Sequence, residues 1–275
     1  MLSTFILKFG ILCLALCSLL GAAEVQHAHL VLHSIPKCGT HCLERTVTLL
    51  TGKNIFHLIH QPFDDEILTH AEQTNQILRL EQPYYAKDLH LIFRRHYKLV
   101  SIYRDPRDAL ISHLFYMREL KDRGTKRDFF IVSPNFDELS FKDQLTALIT
   151  GTPEMKSYLN FYKERIPWAL NFYSLSVKYE DLLGAKGGKS EAIQRQAILN
   201  IANHIGMELS SQKLDYVVNN LYVKADKAAV IDGKVFARAA TGNWAMFFTP
   251  EHKELFKKKM GKLLIQLGYE KDQNW

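Results

Sequence analysis

The amino-acid sequence predicts an α/β protein with a central parallel sheet that is flanked by helices on both faces. Residues 29–33 and 99–103 are largely apolar and predict buried strands, residues 174–179 predict a further strand, and helical spacing of apolar residues follows these segments. Because helices connect successive strands, the strands run parallel and both faces of the sheet are covered. With 275 residues and 47% hydrophobic content, the chain can form a sizeable core.

The remaining elements follow from shorter patterns. Strands are expected over residues 54–59 and 89–93. Apolar residues at helical spacing predict helices over residues 40–50, 108–121 and 190–204, and Thr249 with Pro250 marks the start of another. Residues 119–135 are charged and predict a mobile excursion over the functional site.

The N-terminus predicts a targeting segment. Lys8 precedes an uncharged apolar run over residues 9–20, and small residues follow at 21–23. This arrangement is typical of a signal peptide, whereas an uncleaved anchor would extend the apolar run back past Lys8. We expect residues 1–23 to be a signal peptide or a signal anchor, with possible membrane association, and residues 24–275 to form the folded domain.

The charge pattern suits an anionic ligand but not a nucleic acid. The net charge is +6, and the densest cluster comprises Lys253, residues 257–259 and Lys262. These lysines fall in a helical pattern and predict the solvated face of an amphipathic helix. Basic and aromatic residues are not interleaved, so we expect no nucleic-acid partner.

We expect no framework of disulfide bonds in this fold. Of the four cysteines, Cys13 and Cys17 fall in the targeting segment, and Cys38 and Cys42 follow the first strand. Two cysteines make no disulfide framework. Cys38, His41 and Cys42 would supply only three of the four ligands of a structural zinc, so we expect no metal. A Cys38–Cys42 bridge that disables this segment is the alternative.

The most informative segment is Ile35-Pro36-Lys37-Cys38-Gly39-Thr40-His41, directly after the first strand. Gly39 allows the backbone to approach an anion, and the first N–H groups of the following helix have no partner of their own. Lys37 adds a mobile positive charge. The order differs from that of a nucleotide triphosphatase loop, whose lysine follows the second of two glycines. The segment predicts a phosphate site.

Three predicted strands end in polar residues, at positions 34–40, 104–108 and 179–181. Ligands gather at the carboxyl ends of parallel strands, so we expect these three segments to converge. Arg104 can bind a phosphate through two N–H groups, and Ser112 can donate its hydroxyl to the same group. The alternative is that Arg104 pairs with a neighbouring aspartate at a capped helix start.

Four elements in this order resemble the sulfotransferases that use 3′-phosphoadenosine 5′-phosphosulfate (PAPS). They are Lys37-Cys38-Gly39-Thr40, Arg104 with Ser112, Tyr179-Glu180-Asp181-Leu182, and Gly242-Asn243-Trp244 with Phe247-Phe248-Thr249. The resemblance covers roughly residues 28–270. It implies a three-layer fold like that of the P-loop NTPases and transfer of a sulfuryl group from PAPS to a hydroxyl or amine, leaving adenosine 3′,5′-bisphosphate (PAP).

The resemblance also implies roles for individual residues. It assigns the 5′-phosphosulfate to the segment Lys37, Cys38, Gly39, Thr40, His41 and Cys42. It assigns the 3′-phosphate to Arg104, Ser112 and Arg238, the adenine region to Tyr179, and the segment that closes the site to Gly242.

A base must accept the proton of the acceptor. In the cytosolic branch of the family it is a histidine shortly before the strand that ends in the 3′-phosphate arginine. His90 stands in the corresponding place, fourteen residues before Arg104. Other branches use glutamate, so Glu44 and Glu66 stay alternatives, and His41 and His60 are more distant ones.

Three residues depart from the family pattern. Cys42 replaces a tryptophan that stacks on adenine, and Tyr222 is a substitute for that contact. His41 replaces a threonine, and Ala237 replaces an arginine, which leaves the 3′-phosphate contact to Arg238. These departures motivate one alternative, a nucleotide-binding relative that has lost turnover. A small-molecule kinase is disfavoured by the absent second glycine.

The acceptor is expected to contact residues 119–139 and 59–68, which carry no motif. With its targeting segment, the protein is expected to be exported or membrane-anchored, in the Golgi lumen if the source is eukaryotic.

Overall fold

Five parallel strands form the central sheet of the computed structural model. They are β1 (Leu30–Ser34), β2 (Ile55–His57), β3 (Ile77–Leu80), β4 (Lys98–Tyr103) and β5 (Ser174–Lys178), in the spatial order β2-β3-β1-β4-β5. All neighbouring pairs are parallel. The structure describes residues 29–58, 62–124, 135–221, 229–231, 234–236 and 240–275.

The helices follow the strands in alternation over much of the chain. They are α1 (Thr40–Thr51), α2 (Asp65–Gln73), α3 (Ala86–Arg94), α4 (Pro106–Asp122), α5 (Phe141–Thr150), α6 (Tyr158–Lys163), α7 (Pro167–Leu170), α8 (Tyr179–Leu183), α9 (Glu191–His204), α10 (Ser211–Asn220), α11 (Trp244–Phe247) and α12 (Pro250–Gln266). Short 3₁₀ turns lie at Phe136–Glu138 and Gly184–Gly187, and strands β6 (Ala229–Ile231) and β7 (Lys234–Phe236) pair as an antiparallel hairpin.

Sequence-encoded caps set several helix ends. The side chain of Ser190 accepts from the N–H of Ile193 and begins α9. Thr249 and His252 form a reciprocal capping box, with Pro250 at the first position of α12. The predicted start of this helix at Thr249 is confirmed.

Hydrophobic residues cover the sheet on both faces, as its pattern predicts. One core packs α1, α9 and α10 on one face, around Val47, Val100 and Ile198. A second core lies on the other face, around Leu68, Leu78 and Trp168. A third packs α4, α5, α6 and α12 together. The predicted α/β fold with a parallel sheet between helical layers is therefore confirmed.

The prediction of a strand over residues 89–93 is wrong. This segment lies in α3, where Asp88 and Ile92, four residues apart, are the buried positions. The strand between β2 and β1 is instead β3, whose sequence Ile-Leu-Arg-Leu includes a charged residue. The helical spacing of the buried positions, rather than the local apolar content, determines the element.

Several predicted features lie outside the described residues. They are the targeting segment 1–23, most of the charged excursion 119–135, His60, Tyr222 and Arg238. Among the residues that the structure describes, no helix has the length and apolar character needed to cross a bilayer.

Candidate functional site: an anion cradle at the carboxyl edge of the sheet

The segment between β1 and α1 forms a tight backbone turn. The N–H of Cys38 donates to the carbonyl of Ile35 at 2.9 Å, and Lys37 takes a positive φ of 72°. Gly39 has φ of 103°, and its carbonyl accepts from the N–H groups of Cys42 and Leu43. The earlier N–H groups at the start of α1 have no carbonyl one turn before them, so they are donors for an anion.

Both the backbone conformation at position 39 and the packing of Tyr179 against it require glycine. A Cβ at this position would lie 2.3 Å from Cδ2 of Tyr179, the first residue of α8. The turn after β1 therefore packs directly on the residue after β5. Tyr179 is buried, and burial raises the pKa of its hydroxyl to about 12.

Arg104 joins the segments that follow all three strands. It lies directly after β4, is only 4% exposed, and its guanidinium donates to the carbonyl of Lys37 at 3.4 Å. The same guanidinium lies 4.8 Å from the ring centroid of Tyr179. The predicted convergence of the three strand ends is therefore confirmed, because one buried cation contacts all of them.

A segment far along the chain closes this arrangement. Arg104 also donates to the carbonyl of Ala240 at 2.7 Å. The carboxylate of Asp108 accepts from the N–H of Gly242 at 2.6 Å and of Trp244 at 3.0 Å. The segment 240–244, which we call the closing loop, is thus held by two side chains from the β4–α4 region.

Arg104 and Asp108 are both buried at this site, and burial disfavours the charged form of each. Burial alone would lower the pKa of Arg104, but Asp108, Tyr179 and Glu180 outweigh it and raise the pKa. Burial raises the pKa of Asp108, and Arg104 only partly opposes this. Arg104 is therefore a permanent cation in a poorly solvated place. Its Nε is buried and has no hydrogen-bond partner among the described residues.

The aromatic wall beside Lys37 comes from α4 and α6. The Nζ of Lys37 lies 4.0 Å from the ring centroid of Tyr116, and Tyr158 donates its hydroxyl to the carbonyl of Pro36 at 3.0 Å. The ring of Tyr158 stacks on His113 at 4.7 Å. Burial, with the nearby charge of Lys37, lowers the pKa of His113 to about 3, so this imidazole is neutral.

A carboxylate that the sequence analysis did not single out lies beside the turn. Glu81 directly follows β3, and its Oε1 lies 3.5 Å from the hydroxyl of Thr40. Arg79 donates to the same carboxylate oxygen at 2.9 Å. Thr40 is also 2.8 Å from the hydroxyl of Ser34. The position of Glu81 at the end of a strand adjacent to β1 would have identified it, had β3 been predicted.

Glu44, on α1, is linked to Glu81 through Arg79, which contacts both carboxylates. Its carboxylate lies 3.0 Å from Nδ1 of His41, 3.2 Å from Nε2 of His57 and 3.3 Å from Nε of Arg79. Burial alone would raise the pKa of Glu44, but the His41 hydrogen bond and the Arg79 charge lower it. The bond to Glu44 in turn raises the pKa of His41.

The two cysteines of the turn are buried free thiols rather than a disulfide. Burial raises the pKa of Cys38 and of Cys42, the latter to about 12, so both stay protonated. His41 faces Glu44 instead of these thiols. Among the described residues, no group of three or more candidate side chains is placed to hold a metal.

Other predicted site residues lie farther from this contact network. His90 is exposed on α3, the helix before β4. Glu66 is exposed in the first turn of α2. Ser112 is half-buried on α4, the helix that begins two residues after Arg104.

The strand order β2-β3-β1-β4-β5, with a lysine- and glycine-containing turn between the central strand and a helix, defines an anion-binding fold like that of the P-loop proteins. The sulfotransferase domain family matches residues 27–268 of this sequence. The chain belongs to the sulfotransferase domain family, as the resemblance implied. No curated protein matches the sequence significantly.

Solved sulfotransferase structures share the fold at low sequence identity. A crystal structure of mouse sulfotransferase SULT7A1 complexed with PAP has a TM-score of 0.55 and 16% identity, with 86% of each chain covered. A retinol dehydratase in complex with androsterone and the inactive cofactor PAP has a TM-score of 0.55 and 18% identity, covering 86% of this chain and 80% of that one. At identities this low, the structural similarity establishes a common fold alone.

Proposed function

We propose that this protein transfers a sulfuryl group from PAPS to a hydroxyl or amine of an acceptor. The observation that carries the proposal is the position of Arg104, whose guanidinium contacts the segments after β1 and β5 and the closing loop. Membership of the sulfotransferase domain family supports the same conclusion. Two solved proteins of this fold were crystallised with PAP.

The residues at the site fit such a nucleotide. Arg104 carries a buried Nε with no partner in the described residues, which is a donor that a phosphate oxygen can satisfy. Gly39 packs against Tyr179 where no side chain fits, and the first N–H groups of the helix that follows it are donors for an anion. We assign the phosphosulfate end to residues 37–42 and the 3′-phosphate end to Arg104 with Ser112 and Arg238.

We propose Glu81, rather than His90, as the base. Its carboxylate lies 3.5 Å from Thr40, the first residue of α1, and its side chain is 28% exposed, so an acceptor can reach it. Arg79 holds the carboxylate in place through the 2.9 Å bond. Glu44 is a poorer base because two imidazoles and Arg79 surround its oxygens.

The bound nucleotide supplies an activated sulfuryl group. The acceptor oxygen or nitrogen forms a bond to sulfur while the bond from sulfur to the 5′-phosphate oxygen breaks. Glu81 accepts the proton of the acceptor, and Lys37 with the first N–H groups of α1 neutralises the charge that grows on the departing oxygen. Positioning and charge neutralisation therefore account for most of the catalysis, as in phosphoryl transfer.

We further propose that residues 1–23 direct the protein out of the cytosol, as a cleaved signal or a membrane anchor. Sequencing the N-terminus of the mature protein tests this proposal. A protein that begins at Met1 and fractionates with the cytosol contradicts it.

The decisive experiment is calorimetric titration of the full chain with PAP, PAPS and ATP, followed by an assay with labelled PAPS and a panel of hydroxyl and amine acceptors. We expect PAP and PAPS to bind, ATP to bind much more weakly, and label to pass to an acceptor. Binding of PAP without transfer to any acceptor indicates the nucleotide-binding alternative. ATP binding in preference to PAP contradicts the proposal.

A further inference from the structure

Arg107 occupies an unusual environment on the far side of the closing loop. It is 2% exposed, and Asp105 accepts from its Nε at 3.0 Å and from its terminal nitrogen at 2.7 Å. Its guanidinium carbon lies 4.0 Å from the ring centroid of Trp244 and 4.5 Å from that of Trp275. The cation is therefore held by two indole rings in addition to its carboxylate partner.

One of those rings belongs to the C-terminal tail, residues 268–275. Trp275 also contacts the ring of Phe256 on α12, at 6.3 Å between centroids. Glu270 of the tail accepts a second hydrogen bond from Arg107. Tyr269 donates its hydroxyl to Glu180 at 2.9 Å, and Glu180 accepts from the N–H of Asp105 at 3.0 Å. The tail thus contacts the residues after β4 and the start of α8.

The other ring, Trp244, ends the closing loop. The two indoles meet edge to face at 5.5 Å between centroids. On its other side the loop is bonded to Arg104 and Asp108, the residue next to Arg107. No strand of the central sheet includes residues 240–244, so these contacts, with the 3.2 Å bond from the Thr241 hydroxyl to the carbonyl of Gly187, hold the loop relative to Arg104.

We propose that the C-terminal tail positions the closing loop for nucleotide binding, through the contacts of Trp275 and Glu270 with Arg107. Arg107, Glu270 and Trp275 are positioning residues, since Arg104 and the loop lie between them and the nucleotide. This inference rests on the proposed function. Loss of the tail contacts leaves the loop attached by Asp108, by Arg104 and by the bond from the Thr241 hydroxyl to the carbonyl of Gly187. The nucleotide end of the site therefore loosens, while the acceptor side near Glu81 is unchanged.

The test compares five proteins: the unmodified chain, Trp275→Ala, Trp275→Phe, Glu270→Gln and Lys271→Ala. Lys271 is an exposed residue of the same tail and serves as the matched control. PAP affinity is measured by calorimetry, and the KM for PAPS, the KM for acceptor and kcat by steady-state kinetics. Thermal unfolding checks that each variant is folded, and Glu270→Gln provides a second variant that keeps the indole.

We expect Trp275→Ala to weaken PAP binding about tenfold, the size of effect expected from losing a buried cation–ring contact. Trp275→Phe should retain most of the PAP affinity of the unmodified chain, because phenylalanine presents a ring face to Arg107. Glu270→Gln should weaken PAP binding in the same direction, with the acceptor KM unchanged in every variant.

Unchanged PAP affinity in folded Trp275→Ala overturns the inference, and so does a change confined to kcat or to the acceptor KM. Equal losses in Trp275→Ala and Lys271→Ala also overturn it, since they would show a general effect of altering the tail. If the unmodified chain does not bind PAP, the proposed function itself is wrong, and this result is distinct from a failure of the tail variants.

Discussion

Gly39 faces Tyr179 so closely that an added Cβ would lie 2.3 Å from Cδ2 of the tyrosine ring. The residue that opens the anion cradle and the residue that follows β5 are therefore in direct contact. Because Tyr179 is buried beside Arg104, it cannot move away without disturbing the cation that joins the three strand ends. The turn after β1, Arg104 and Tyr179 therefore form one packed unit.

This contact predicts that Gly39→Ala disables the site. The substitution combines a positive φ of 103° with a clash against a buried ring, so we expect PAP affinity and turnover to fall at least 100-fold, roughly 3 kcal/mol.

The matched control is Gly52→Ala at the other end of α1. Gly52 also has a positive φ, of 73°, but no atom lies within 4 Å of the place that an added Cβ would occupy. Gly52→Ala should lower stability by about 1 kcal/mol with activity retained. Equal activity in the two variants contradicts the prediction.

Lys37→Ala should abolish transfer while the protein stays folded. The Lys37 ammonium lies over the ring of the half-buried Tyr116, so its loss removes a charge and no apolar core contact. We expect kcat to fall by about 10²–10³, as for loss of a group that stabilises transition-state charge. Circular dichroism and PAPS turnover provide the measurement, with Lys53→Ala as control. Near-normal kcat in Lys37→Ala refutes the assigned role.

Glu81→Gln and His90→Ala distinguish the two candidate bases. Gln preserves the shape of Glu81 and its contact with Thr40 but cannot accept a proton, so kcat should fall by about 10²–10⁴ with PAP affinity nearly unchanged. His90→Ala should be close to normal, because this side chain is exposed on α3. The opposite ranking in a labelled-PAPS assay restores His90 as the base, and loss of PAP binding in Glu81→Gln indicates a structural role instead.

Arg104→Lys should weaken PAP binding by about 30- to 100-fold. Lysine keeps one charge but loses the planar set of N–H groups that reaches Lys37 and Ala240, and it has no counterpart of the buried Nε. Calorimetry with PAP measures the loss. Arg118→Lys, on the same helix as Ser112 but bonded to Gln144, is the control. Arg104→Lys with normal affinity would show that the 3′-phosphate lies elsewhere.

Stability should fall in mild acid, in part through His33. Burial, reinforced by the charge of Arg165, lowers the pKa of His33 to about 3, whereas the unfolded chain has the ordinary value near 6.5. The unfolded state therefore binds the proton first, and stability is lost as the pH falls from about 6.5 towards 3. At pH 5 the loss from this group is about 2 kcal/mol.

Urea unfolding of the unmodified chain and of His33→Phe, at pH 7.5 and pH 5, measures this contribution. Phenylalanine keeps a ring against Trp168, which stacks on His33 at 5.4 Å. The acid-induced loss should be smaller in the variant by about 2 kcal/mol. An identical loss in both proteins contradicts the burial of a neutral imidazole at this position.

The fold class and half of the site could be predicted because their signals are local. The segment from Lys37 to Thr40 is continuous in sequence, and the buried strands before it and before Arg104 are largely apolar. Helix caps are likewise local, which is why Thr249 with Pro250 predicts the start of α12.

Glu81, the proposed base, could not be predicted in the same way, because β3 contains a buried arginine and the apolar run after it is helical. Arg79 is tolerated on a strand only because Glu44, from α1, and Glu81 lie next to it. Neither partner can be inferred from local pattern, so the sequence offers His90 as a candidate base and does not offer Glu81.

The sequence alone therefore determined the parallel α/β fold, the anion-binding turn after β1 and the convergence of three strand ends, because periodicity and strand-end chemistry act over a few residues. Only the tertiary structure decided that Arg104 joins those ends to the closing loop, that Glu81 lies beside Thr40, and that the C-terminal tail reaches Arg107. These contacts join residues far apart in sequence, and they depend on helix packing and side-chain reach that no local pattern encodes.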